Sequence, residues 1–255
     1  MTAEREVKRL QKVRDDFFSI AAHEIRTPIT VIKAQAQLAE RFHAQGRLQG
    51  ELVEKTLRVF VQESDRLARL CNDLLDTARI DSGCFEVYLS EFQVASAIEE
   101  AVARYRGRVE RHQFVFEAAR PEAGALVVRA DRERTMHVLD NLLNNAIRFS
   151  PGGGEITVSL SVRRSKCSIT VRDRGLGIPG DRLKGIFKRY YQAHQSGLKG
   201  PCGLGLGLYV CRESVRRMGG NIRVKSEGDG QGSEFTFTLP LAARATETFT
   251  GGITS

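Results

Sequence analysis

Phe17-Phe18-Ser19-Ile20-Ala21-Ala22-His23-Glu24-Ile25-Arg26-Thr27-Pro28-Ile29-Thr30 opens a long amphipathic run in which Phe18, Ala22, Ile25, Ile29, Ile32, Ala36 and Ala39 recur at helical spacing. The stripe Asp16, Ser19, His23, Arg26, Thr30, Lys33 and Gln37 is entirely polar, so the spacing predicts that His23 faces solvent. A histidine on a helix is more often a residue without chemistry, and only its neighbours can raise it above that. Pro28 lacks an N–H and crowds the carbonyl of Glu24, which predicts a kink one turn beyond the histidine. Such a proline costs about 3 kcal/mol in a helix interior, a burden that a merely structural helix has little reason to keep. Thr27 lies four residues from His23 and shares its face. An imidazole, a carboxylate and a hydroxyl are thus gathered on one turn.

Upstream, Leu10, Val13, Phe17 and Ile20 continue the repeat, so residues 1–14 read as a coiled-coil-like lead into the same helix. A second amphipathic run carries Val53, Leu57, Phe60, Ser64, Leu67, Cys71, Leu74 and Ala78, and His43 to Gly50 with its two glycines supplies the turn between. One helical hairpin has little core of its own, so two copies pairing into a dimeric four-helix bundle is the expected way to bury both stripes. After Asp81-Ser82-Gly83 short strands alternate with helices. Strands are predicted over 86–89, 114–117, 125–129, 155–162, 168–172, 221–226 and 234–239, and helices over 95–106, 132–148 and 206–218. The fold class is therefore multi-domain, α and α+β: a hairpin at 15–82, then an α/β sandwich at 83–241. Residues 242–255, polar and rich in Thr and Gly, read as a disordered tail.

Four further segments carry chemistry. They are Asp140-Asn141-Leu142-Leu143-Asn144-Asn145-Ala146-Ile147-Arg148-Phe149-Ser150-Pro151, Asp173-Arg174-Gly175-Leu176-Gly177-Ile178-Pro179, Ile186-Phe187-Lys188-Arg189-Tyr190-Tyr191 and Gly203-Leu204-Gly205-Leu206-Gly207-Leu208. Gly175 and Gly177 suit a backbone that turns sharply and approaches a ligand closely. Gly203, Gly205 and Gly207 precede a helix whose first N–H groups can hold phosphate, although the Gly-Lys-Ser/Thr of a Walker loop is missing.

With His23-Glu24-Ile25-Arg26-Thr27-Pro28 as the phosphoacceptor box, these segments resemble, in order, the N box, first glycine box, F box and second glycine box of the bacterial two-component sensor histidine kinases. The resemblance spans about residues 10 to 240 and implies an ATP-binding domain of the type shared with heat-shock chaperone and mismatch-repair ATPases. It implies a kinase that autophosphorylates His23 from ATP and passes the phosphoryl group to an Asp of a response regulator receiver domain, with a phosphatase activity on that regulator. By the same resemblance Glu24 holds the other ring N–H of His23, and Thr27 orients the water that hydrolyses the regulator's phospho-Asp. Asn145 becomes the Mg²⁺ ligand, a role that suits an amide oxygen because it binds a hard cation without repelling phosphate. Asn141 supports it one turn earlier, Arg148 meets phosphate and Phe149 packs on adenine. Asp173 accepts from the exocyclic amine of adenine, Gly203, Gly205 and Gly207 hold phosphate, and Arg189 and Lys199 reach phosphate from a lid.

Composition agrees with a globular protein, 41% hydrophobic and 27% charged. No stretch reaches the ~20 apolar residues of a membrane span, and the polar start is no signal peptide, so a cytoplasmic segment without membrane contact is expected, alone or as part of a longer sensor. Five cysteines without metal spacing read as reduced thiols. The net charge of +8 is spread among acids rather than gathered in a tail, so direct nucleic-acid binding is not expected. Two other functions compete: a conformational ATPase of the chaperone or repair type, which has no need of His23 and its neighbours, and a nucleotide-binding dimeric scaffold that transfers nothing, against which the intact boxes argue.

Overall fold

The computed structural model describes residues 2–107, 109, 111–118, 126–163, 165–192 and 203–242, with backbone alone over 2–18. The chain divides into two compact units, one of residues 1–83 with 194–206 and one of residues 84–193 with 207–255.

In the first unit α1 (Thr2–Ala44) and α2 (Glu51–Asp81) form a hairpin. Between them Gly46 and Gly50 adopt φ of 67° and 51°, a left-handed conformation that glycine reaches without steric cost. α1 stays helical across Pro28. Beside the proline the Thr27 and Thr30 hydroxyls donate to the carbonyls of His23 and Arg26 at 3.0 and 2.8 Å, the back-bonding by which short hydroxyls sit in a helix interior.

The shielded seam of the hairpin follows the predicted apolar stripes only in part. On α2 the buried positions are Thr56, Leu70, Asp76 and Thr77, three of them polar, and Val53, Phe60, Leu67 and Leu74 of the predicted stripe are half-buried, as are Leu52, Val59, Glu63, Arg66 and Asp73. On α1 Ala21, Glu24 and Pro28 are buried, Ile25, Ile32, Ala36 and Ala39 are half-buried, and Ala22 and Ile29 are exposed. Phe18 falls where only backbone is described. Two helices meeting along one line cover one flank of a broad stripe, which leaves Ile29, Leu57, Val61 and Leu75 50 to 56% exposed.

Within that seam burial pushes the Asp73 carboxyl up to about 7, helped by the charge of Asp76 and opposed by Arg69. A folded-state value above the unfolded one, about 4, means that the folded chain holds this proton more tightly. Its contribution to stability is complete below pH 4 and is lost as pH rises through about 7. Asp73→Asn is expected to flatten that fall and to raise stability at pH 8 by roughly 1–2 kcal/mol, given the partial solvent screening of the site. Melting curves of both proteins between pH 4 and 8 measure it.

In the second unit the elements are β1 (Ser90–Gln93), α3 (Val94–Tyr105), β2 (His112–Ala118), β3 (Val127–Ala130), α4 (Arg132–Arg148), β4 (Gly154–Arg163), β5 (Lys166–Asp173), α5 (Gly207–Arg217), β6 (Ile222–Lys225) and β7 (Ser233–Pro240). Five strands form a sheet in the order β2-β4-β5-β7-β6, antiparallel except for the β2–β4 pair, and β1 pairs with β3 in a small second sheet. Alternate residues such as Ile156, Val158 and Leu160, or Phe235, Phe237 and Leu239, join one core with Ile98 of α3, Leu139, Leu142 and Leu143 of α4 and Val215 of α5. This is the expected sandwich of helices on a sheet.

The predicted strand at 86–89 is displaced to Ser90–Gln93, with Ser90 opposite Ala130. The preceding residues are committed to side chains instead. Phe85 is fully buried between the guanidinium groups of Arg134 and Arg217, 4.4 and 5.3 Å from its ring centre, and Arg217 donates to its carbonyl. The Tyr88 N–H donates to Asp131 Oδ2 at 2.8 Å while Oδ1 of the same carboxylate caps α4 through Arg134 N–H. Lys199, the first residue of the predicted 125–129 strand and all but the first residue of the predicted tail lie outside the described residues. No helix among the described residues is long and apolar enough to cross a membrane. The four described cysteines carry thiols, and burial pushes that of Cys167 up to about 12.

Candidate functional site

Helical geometry turns successive side chains about 100° apart, and the hairpin shows the consequence at the histidine. His23 is exposed, whereas Glu24 is only 5% exposed. The Glu24 carboxylate reaches α2, where Arg66 Nη2 donates to Oε2 at 2.9 Å, and within the same unit the Gly203 N–H donates to that oxygen at 3.2 Å. Arg66 also lies 3.7 Å from Glu63 Oε2. The Thr27 hydroxyl is bound to the His23 carbonyl and keeps its lone pairs for an incoming proton. The sequence reading placed Glu24 with the imidazole and missed Arg66 altogether. Its one available signal was a basic residue on a helical line whose depth no periodicity reveals.

In the second unit Asp173 ends β5 with 4% exposure. Ser233 Oγ donates to its Oδ2 at 2.5 Å and the Gly175 N–H to its Oδ1 at 2.8 Å, which leaves each oxygen one further lone pair. The turn beyond is built against backbone. A Cβ on Gly175 would stand 2.1 Å from the Phe149 carbonyl oxygen, which accepts from Leu176 N–H at 2.8 Å, and one on Gly177, at φ 71°, would stand 1.9 Å from Gly228 O. Only glycine fits either position. Ser233, 60 residues away in the chain, was not legible beforehand.

Along α4 Asn145 Nδ2 donates to Asn141 Oδ1 at 3.2 Å, a bond that engages the Asn145 NH₂ and not its carbonyl oxygen. The start of α5 comes up against the same residues: a Cβ on Gly207 would lie 2.3 Å from Asn141 Nδ2. Arg148 packs over the Phe149 ring at 5.3 Å, and Arg189 donates to the Tyr209 hydroxyl at 2.6 Å and covers its ring at 4.6 Å. Gly203 and Gly205, at φ 70° and 66°, fall in the first unit, and Gly207 in the second. Among the described residues no three His, Cys, Asp or Glu gather as a metal cluster. One amide oxygen beside a helix start fits a Mg²⁺ ion held chiefly by phosphate and water, and the buried Asp173 with its glycine cradle fits adenine.

Residues 13–83 match the His Kinase A (phospho-acceptor) domain, and residues 130–243 the histidine kinase-, DNA gyrase B- and HSP90-like ATPase. The chain is 31% identical over 239 residues to the sensor histidine kinase WalK of Bacillus subtilis, covering 92% of this chain and 38% of WalK. It is 30% identical over 234 residues to the sensor protein SrrB of Staphylococcus aureus, covering 91% and 39%. It thus spans about two fifths of the length of the curated relatives it matches. Among solved structures it resembles the histidine kinase ThkA in complex with the response regulator protein TrrA, at 25% identity and a TM-score of 0.61 over 94% of this chain and 65% of that one. It also resembles full-length ShkA in complex with AMPPNP, at 26% identity and 0.60 over 89% and 46%. Hairpin and sandwich match one class of protein in a single continuous alignment, and the chain belongs to the two-component sensor histidine kinases, of which it is a catalytic core.

Proposed function

We propose that residues 15–82 serve as the dimerisation and phosphotransfer domain and residues 83–241 as the ATP-binding domain of a protein-histidine kinase. The observation that carries this reading is the exposed His23 imidazole beside a shielded carboxylate, in a chain whose other unit holds a buried carboxylate in a glycine cradle. One ring nitrogen of His23 forms the N–P bond as the bond from the γ-phosphorus to the departing ADP oxygen breaks, and Glu24 takes the proton of the other ring nitrogen. Asp173 accepts from the adenine amine, Asn145 presents its oxygen to the metal, and the α5 N-terminus at Gly207 offers N–H groups to phosphate. Bound Mg²⁺ would supply charge neutralisation at the phosphate oxygens. The phosphoryl group then passes to an aspartate of a receiver domain, a reading supported by the likeness to ThkA in its complex with a response regulator protein. A cytoplasmic place for this segment follows from those partners. Incubation with γ-labelled ATP and Mg²⁺ tests the reading: acid-labile, alkali-stable label on the protein supports it, and ATP hydrolysis without label overturns it in favour of a conformational ATPase.

The exposed Ile29, Leu57, Val61 and Leu75 favour a homodimer through the hairpin, since a second copy covers the flank that α1 and α2 leave open. Light scattering at micromolar concentration is expected to give twice the chain mass, and a monomer counts against the bundle. Thr27→Ala is expected to keep autophosphorylation and to slow dephosphorylation of the regulator by about 10- to 100-fold, because the hydroxyl lone pairs orient water but play no part in attack on ATP. Phospho-regulator decay with ADP present, measured beside His23 labelling, separates this from a purely structural threonine. In that case both activities fall together with the melting temperature.

A further inference from the structure

The Arg66 guanidinium lies between two carboxylates, Glu24 across the hairpin at 2.9 Å and Glu63 of its own helix at 3.7 Å. All three side chains are largely covered, at 22% exposure for Arg66 and Glu63 and 7% for Glu24. A glutamate has three rotatable bonds, and one on a helix surface ordinarily explores solvent. Here the ion pair fixes it. The recorded contacts of Glu24, from Arg66 Nη2 and the Gly203 N–H, both fall on Oε2, so Oε1 is the oxygen through which this carboxylate can meet an imidazole proton. Adjacent helix positions diverge by about 100°, so an unrestrained Glu24 has no intrinsic reason to stay near His23.

We propose that Arg66 is a positioning residue for phosphotransfer, acting through Glu24: it binds Oε2 from α2 and so holds Oε1 where it can take the proton of His23. The inference rests on the reading of His23 as phosphoacceptor. Because Arg66 and Glu24 sit on facing helices of one hairpin, a change in how α1 and α2 are set against each other moves the carboxylate with respect to the histidine beside it. The strength of phosphotransfer is thereby tied to hairpin geometry without any change in the nucleotide site. Arg66 belongs to the first unit and Asn145 and Asp173 to the second, so its loss acts on the rate of the labelled step and spares ATP affinity.

The test is a double-mutant cycle on the full chain with γ-labelled ATP and Mg²⁺. Arg66→Gln is expected to lower the rate of His23 labelling at saturating ATP by about tenfold or more, with KM for ATP within about twofold of wild type. Arg66→Lys, which keeps the cation, is expected to recover most of the rate. In a Glu24→Gln background Arg66→Gln is expected to cost little further, since the group through which it acts is already gone. Equal losses in both backgrounds, or an unchanged rate in Arg66→Gln with wild type fully labelled, overturn the inference. If Arg66→Gln does not fold, Arg66→Met, which keeps the apolar stem and lacks the cation, takes its place in the same cycle with the same expected outcomes. A wild-type protein that takes no label on His23 refutes instead the functional reading beneath it, so the two failures are distinct.

Discussion

His23→Gln is expected to reduce acid-labile label to background while ATP affinity stays within about twofold, because glutamine offers no nucleophilic ring nitrogen and Asn145, Asp173 and Gly207 belong to the other unit. No partial loss is expected: the amide cannot form the N–P bond at all. The fold should be indifferent, since the side chain is exposed and the histidine's structural partner is its backbone carbonyl, which the substitution keeps. Phosphoamino-acid stability assays on wild type and variant, with nucleotide titration as a control, decide the matter. Acid-labile label retained in the variant would move the phosphoacceptor to one of the chain's other histidines, His43, His112, His137 or His194.

Asp173→Asn is the second large effect, with ATP affinity expected to fall about 10- to 100-fold, the cost of mismatching one buried polar contact of 1–3 kcal/mol. The carboxylate accepts on both oxygens already, from Ser233 Oγ and from Gly175 N–H. An asparagine must therefore turn its NH₂ toward the Gly175 N–H, which sets donor against donor, or toward Ser233, whose hydroxyl must then rotate to accept, and either way one oxygen that could take the adenine amine is lost. Asn145→Ala is expected to differ in kind: it removes a metal oxygen, so affinity falls chiefly in the presence of Mg²⁺. Calorimetric titration with ATP, with and without Mg²⁺, distinguishes them. Unchanged affinity and unchanged autophosphorylation in both variants would refute the nucleotide site.

Local chemistry was readable from the residues alone. α4 runs over the predicted 132–148, because Asp131 caps a run whose apolar residues recur at helical spacing and whose end meets Ser150-Pro151. The alternation in β4, β5 and β7 likewise declared one buried face. The strand expected at 86–89 slipped because Phe85 and Tyr88 are held by Arg134, Arg217 and Asp131, contacts that span 43 to 132 residues. β-propensity records what a residue tolerates, not which backbone groups a distant side chain has claimed.

The sequence by itself determined the order of the two units, the exposed histidine on the first and the Asp173-Arg174-Gly175-Leu176-Gly177 turn on the second. Those are properties of periodicity, backbone freedom and residue chemistry within a few turns of chain. Only the tertiary structure decided that the polar Thr56, Asp76 and Thr77 are buried on α2, that Arg66 binds Glu24 Oε2 from the facing helix, and that Ser233 completes the hydrogen bonds of Asp173. Each of these joins residues far apart in the chain, and burial of a charged group becomes affordable only when its partner arrives from another element. No local pattern can announce that arrival.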